Sequence, residues 1–146
     1  MPDPEPMDVE SALEKLNAAL ALQYRSALEL TTVAGSVRGA TWHPFGEMLW
    51  TYAADELDDA RRLVEKIVAL GGTPTTDVEP FTAEPEPEKA LRLLVEHECE
   101  AVAALHAVIP DTGQEPRSEA LEHRLEHLIM RKQEQVDTLR RALGDA

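Results

Sequence analysis

An all-α fold, a bundle of four helices in two antiparallel pairs, is what this sequence predicts, on three observations. Apolar residues recur at alternating steps of three and four in four separate stretches. No stretch alternates convincingly at period two, and Ala, Leu, Glu and Arg are plentiful. Glycine and proline divide the chain so that two connections are short and one is long. A length of 146 residues suits one domain.

The elements follow in order. Residues 1–7 carry three prolines and read as a disordered tail ahead of a bundle domain over 8–146. Asp8 can cap a first helix over about 8–37, weakened at its end by Gly35 and Gly39. Pro44 suits a first helical position, so a second helix is expected over 44–70, closed by Gly71-Gly72. Residues 73–87 hold four prolines and form a crossover rather than a tight turn. A third helix is expected over 88–109, stopped by Pro110, and a fourth over 118–143 with Ser118 as its cap. Extended chain covers roughly 3.3 Å per residue, so the crossover can travel the length of the bundle. One long crossover between two helix pairs separates this topology from a simple up-down bundle.

Composition bounds the functions. With 28 acidic and 14 basic residues the formal charge is −14, which argues against a nucleic-acid or anionic-membrane partner. No apolar run is long enough for a transmembrane helix and the first residues do not read as a signal peptide. The single cysteine, Cys99, excludes an internal disulfide and fits a reducing compartment. A cytoplasmic location is therefore expected.

Each helical seam is apolar except at its middle. The first runs through Leu13, Leu16, Leu20, Gln23, Ala27 and Leu30; the second through Leu49, Ala53, Glu56, Ala60 and Leu63. The third passes Leu91, Val95, Glu98, Val102 and Leu105; the fourth passes Leu125, Leu128, Lys132, Gln135 and Leu139. Four such interruptions can meet at one level. Buried charges need a counter-charge or a metal, so the layer has two physical solutions. A metal can neutralise the carboxylates, or Lys132 can.

Around this layer the sequence resembles the bacterioferritins. Leu16-Asn17 near the start and Leu70-Gly71-Gly72-Thr73-Pro74 at the close of the second helix look like their first helical pair, and the register fits across about 12–143. The resemblance implies a ferritin-like bundle that binds two irons, oxidises Fe(II) and stores the mineral. Carried over by position, it also implies departures from the family's site. Gln23 stands for the first helix's glutamate, and Glu56 and Glu98 match the glutamates of the second and third helices. Asp59 replaces the histidine of Glu-x-x-His on the second helix, and Lys132 and Gln135 replace Glu and His on the fourth. Metal, as iron or manganese, would rest mainly on Glu56 and Glu98, with Asp59 assisting and Gln23 and Gln135 as weak neutral ligands. These substitutions argue against full ferroxidase activity. Leu57 holds the position of the family's haem-ligating methionine, so haem is not expected, and no fifth helix follows the fourth. The rival expectation is a metal-free scaffold or partner-binding oligomer held by Glu56, Lys132 and Glu98.

Other candidates have plainer readings. Glu134 and Asp137 lie ~200° around the helix from the seam. His123 and His127 share an i, i+4 face that also points away from the core, and His97, His106 and Cys99 sit beside the seam as partly exposed residues. Trp50, Leu57, Val64 and Val68 form a second apolar stripe on the second helix, which suits either extra core or a homodimer contact.

Overall fold

A computed structural model describes residues 5–145. Four long helices carry the fold: α1 over Val9–Ser36, α2 over Gly46–Ala69, α3 over Pro87–His106 and α4 over Ser118–Leu143. A single helical turn, Gly39–Trp42, and a 3-10 turn, His43–Phe45, link α1 to α2. The second helix thus starts two residues later than the sequence suggests, because Pro44 sits in the tighter turn before it.

Local chemistry explains the ends. The Asp8 carboxylate accepts from the Ser11 amide and caps α1. Glu86 accepts from the amides of Glu88 and Lys89 at the start of α3, where Pro87 needs no donor partner. Ser118 does not cap α4; it is the first helical residue, and its hydroxyl donates to the Thr112 carbonyl in the preceding loop. Gly144, at φ 79°, closes α4 in the left-handed conformation that glycine adopts without strain.

Two apolar clusters show how the helices run. One joins Leu16 and Leu20 of α1 to Leu63 and Ile67 of α2, Leu105 of α3, and Leu121 and Leu125 of α4. The other joins Leu30 and Val33 of α1 to Leu49 of α2, Leu91 and Leu94 of α3, and Leu139 of α4. The end of α1 therefore meets the starts of α2 and α3, so α2 and α3 are parallel to each other and antiparallel to α1. That arrangement requires the chain to return along the whole bundle between them. Each fully buried leucine contributes roughly 1.5–3 kcal/mol.

The crossover is strapped to α1. Asn17 donates from Nδ2 to the Thr73 carbonyl at 3.2 Å and accepts from the Thr75 amide at 2.8 Å. Further along, the Glu79 amide donates to the Ala21 carbonyl. The Leu-Asn and Gly-Thr-Pro motifs of the sequence are thus two halves of one clasp. Gly72 belongs to it as well, since a Cβ there would lie 2.6 Å from a Leu13 methyl. Asn17→Ala is expected to lower stability by about 1–2 kcal/mol, read by urea denaturation, with faster hydrogen exchange at the Thr75 amide.

The start of the chain differs from the expected tail. Residues 1–4 lie outside the described part, but Met7 is buried in the first apolar cluster. Its amide donates to Glu115, and the Gln114 amide donates to the Glu5 carbonyl. A proline-rich composition suggested disorder; one apolar side chain reaching the core outweighs it.

Candidate functional site

Between the two apolar clusters lies a layer of buried polar side chains. Gln23 and Ser26 come from α1, Glu56 from α2, Glu98 from α3, and Lys132 and Gln135 from α4. Each falls where the helical period turns that residue inward, so all four helices present a polar group at one height. Lys132 is 0% exposed and is among the largest fully buried side chains.

The Lys132 ammonium occupies the middle of the layer. Nζ donates to Glu56 Oε2 at 2.6 Å, to Glu98 Oε2 at 3.0 Å and to Ser26 Oγ at 3.3 Å. An ammonium has three protons, and all three have acceptors here. Gln23 donates from Nε2 to the Glu56 backbone carbonyl at 2.8 Å and to Glu56 Oε2. Gln135, about one turn further along α4, is also buried. Glu56 Oε1 and Glu98 Oε1 are buried without a hydrogen-bond partner.

One ammonium between two carboxylates leaves a surplus negative charge. Burial, and then repulsion from Glu98, push the Glu56 carboxyl up to about 8, against the pull of Lys132 and Gln23. Burial alone would lower the lysine, but Glu56 and Glu98 hold its ammonium above the ordinary value. The two directions agree physically: the cation is retained and the surplus falls on Glu56.

Asp59 is buried but engaged elsewhere. Its Oδ1 accepts from Arg131 at 2.9 Å, and Arg131 also reaches Asp55 at 3.3 Å. Burial raises the Asp59 carboxyl, with Arg131 pulling in the opposite direction. Asp59 Oδ2 is a third buried oxygen without a partner. Among the described residues, no group of three or more His, Cys, Asp or Glu side chains is arranged to hold a metal ion.

A second polar cluster joins α1 to α3 and was not anticipated. Glu29, buried, accepts from His97 Nδ1 at 2.8 and 2.9 Å. Arg25, also buried, donates to Glu100 at 2.8 Å. His97 is therefore partly exposed, as its place beside the seam suggests, and is held against α1. A signal for this existed: Arg25 and Glu29 are spaced i, i+4, and His97 and Glu100 i, i+3, so each pair shares a face. Ser26 and Arg131 were also missed, because neither interrupts an apolar seam.

On the outer face, Trp50, Leu57 and Val68 of α2 are exposed, as is Leu28 of α1. Val64 packs partly onto the core. Leu57 and Tyr24 line two mainly apolar grooves, one of which also takes in Leu28 and Val78. No helix among the described residues is long and apolar enough to cross a membrane.

The chain belongs to the ferritin-like domain family, whose model matches residues 13–146. That places it in the iron-handling ferritin-like superfamily. Its structure is similar to a ferritin-like diiron-carboxylate protein from Bacillus anthracis strain Ames, with 26% identity and a TM-score of 0.86 over 93% of this chain and 97% of that one. It is also similar to the dodecameric thioferritin, a bacterioferritin-related protein, of Bacteroides fragilis, with 20% identity and a TM-score of 0.84 over 95% and 88%. Rhodobacter capsulatus bacterioferritin, solved with a metal-free dinuclear site and haem iron, follows the same fold at 16% identity and a TM-score of 0.75 over 92% and 84%. No individually curated protein matches the chain.

Proposed function

We propose that this chain is a bacterioferritin-like protein in which the di-iron centre has degenerated into a lysine-centred ion-pair network. Conventional ferroxidase turnover is weak or absent, and the bundle serves as a homo-oligomeric unit. The observation that carries this reading is the Lys132 ammonium, bonded to both central glutamates at 2.6 and 3.0 Å. The residues present do not fit a di-iron centre. The position of a bridging cation is taken by a side chain, and a second cation there would be repelled. Asp59 is bound to Arg131, and the layer includes no histidine.

A second reading, a retained but altered site for a single iron or manganese, has one observation in its favour. Glu56 Oε1, Glu98 Oε1 and Asp59 Oδ2 are buried oxygens without partners, which is costly unless something fills the need. Metal analysis after Fe(II) loading in air separates the two. The leading reading expects sub-stoichiometric iron and no rapid Fe(III) formation. A full di-iron complement with fast oxidation would sink it. Lys132→Glu combined with Gln135→His is expected to create iron binding, since it restores an oxygen and an imidazole donor on α4.

The exposed apolar face of α2, continuous with Leu28 and Val78, supports a homodimer contact. Leu57→Glu is expected to shift the protein towards monomer in light scattering, because it places a charge in the middle of that face. Unchanged mass in the variant, or a monomeric parent protein, would remove this part of the proposal. The lone Cys99 and the acidic surface fit a cytoplasmic protein without nucleic-acid or membrane partners.

A further inference from the structure

We propose that the outer face of α4 carries a separate site for a borderline divalent cation of the zinc, nickel or copper(II) class, chelated by His123 and His127. The two histidines are one turn apart on the same helix and both are exposed. At i, i+4 spacing two imidazoles on one helical face can reach a single ion. Imidazole nitrogen selects this class of metal, whereas a site of oxygens alone would favour magnesium or calcium.

The surroundings favour a cation. Glu119, one turn before His123, brings Oε1 within 3.9 Å of His123 Nε2. Glu126 adjoins His127, and Met130 follows one turn later, 51% exposed. No exposed residue of α4 between Glu119 and Asp137 is cationic, and Arg124, which lies between the histidines in sequence, is only partly exposed. Three donors are not assembled in advance. The pair therefore acts as a two-point chelate, completed by Glu119 after rotation of an exposed side chain, or by water.

The site is independent of the central layer. Leu121, Leu125, Leu128 and Lys132 occupy the inward face of the same helix, so the histidines point away from Glu56 and Glu98. Metal bound here would clamp successive turns of α4.

Calorimetric titration of the untagged full-length protein with zinc chloride, and separately nickel chloride, tests the inference. A saturable stoichiometry near one ion per chain is expected, with a rise in Tm as ligand accumulates. His123→Ala and His127→Ala should each weaken binding by about tenfold or more, since disturbing even a group that only orients a metal ligand costs about 10–100-fold. Glu119→Gln should have a smaller effect. Glu56→Gln, at the central layer, should leave this binding unchanged. Absence of saturable binding, or binding undiminished in the double histidine variant, would overturn the proposal. Loss in Glu56→Gln with retention in the histidine variants would place the ion in the core instead.

Discussion

Lys132→Ala is expected to lower the stability of the bundle by about 3–5 kcal/mol, the usual cost of removing one partner from a buried ion pair. Two effects combine. Glu56 and Glu98 lose the ammonium bonded to both of them and face each other in a dry core. The truncation also leaves a cavity where a fully buried side chain stood. Against a total of roughly 5–15 kcal/mol for ordinary domains, the variant sits at the edge of folding. Urea denaturation measures the loss. Lys132→Met separates the causes, since it keeps most of the volume and removes the ammonium with its three hydrogen bonds. Adding Glu56→Gln to Lys132→Met should recover part of the stability by removing one of the facing carboxylates. A cost near zero for Lys132→Met would mean that the carboxylates do not depend on the ammonium.

Stability should fall as pH rises from about 4.5 to about 8, the ordinary and folded-state values of the Glu56 carboxyl. A raised folded value means that the native state holds a proton that the unfolded chain has already released. Between the two values the unfolded state binds fewer protons, so ΔG of unfolding decreases with pH. The contribution is fully present below the unfolded value and is lost as pH climbs through the folded one. Asp59, also raised by burial, acts in the same direction starting from 3.8. Lys132, held above 10.5, keeps its charge throughout this window. Glu100, Asp111 and Glu115 are lowered by their partners Arg25, Lys15 and Arg117, and they contribute in the opposite sense at acid pH. All three are near the surface, so solvent screening keeps their effect small. Glu56→Gln should flatten the profile between about 4.5 and 8 when denaturation midpoints are measured across pH. A profile that keeps its slope in that variant would assign the proton elsewhere.

Both experiments act on a layer whose membership was legible in the sequence but whose bonding was not. Gln23, Glu56, Glu98 and Lys132 declare themselves as polar interruptions in otherwise apolar seams, because helical periodicity dictates which residues turn inward. Ser26 could not be found that way. It lies three residues after Gln23, and only the approach of α4 makes its hydroxyl an acceptor for Lys132. Asp59 shows the opposite case. Its position on α2 suggests a ligand facing the centre, yet Arg131 draws its carboxylate to the side. Which partner a carboxylate takes depends on the rotation of two helices about their axes, and periodicity within one helix carries no such information.

The same division holds for the molecule as a whole. By itself the sequence determined four helices, their inward faces and a crossover long enough to make α2 and α3 parallel, since these follow from period, caps and chain length. Only the tertiary structure decided that Met7 belongs to the core, that Asn17 clasps the crossover, and that Glu29 holds His97 while Arg25 holds Glu100. Those contacts join residues 56 to 108 positions apart. Their energies depend on distances of a few ångströms that arise once the helices have packed.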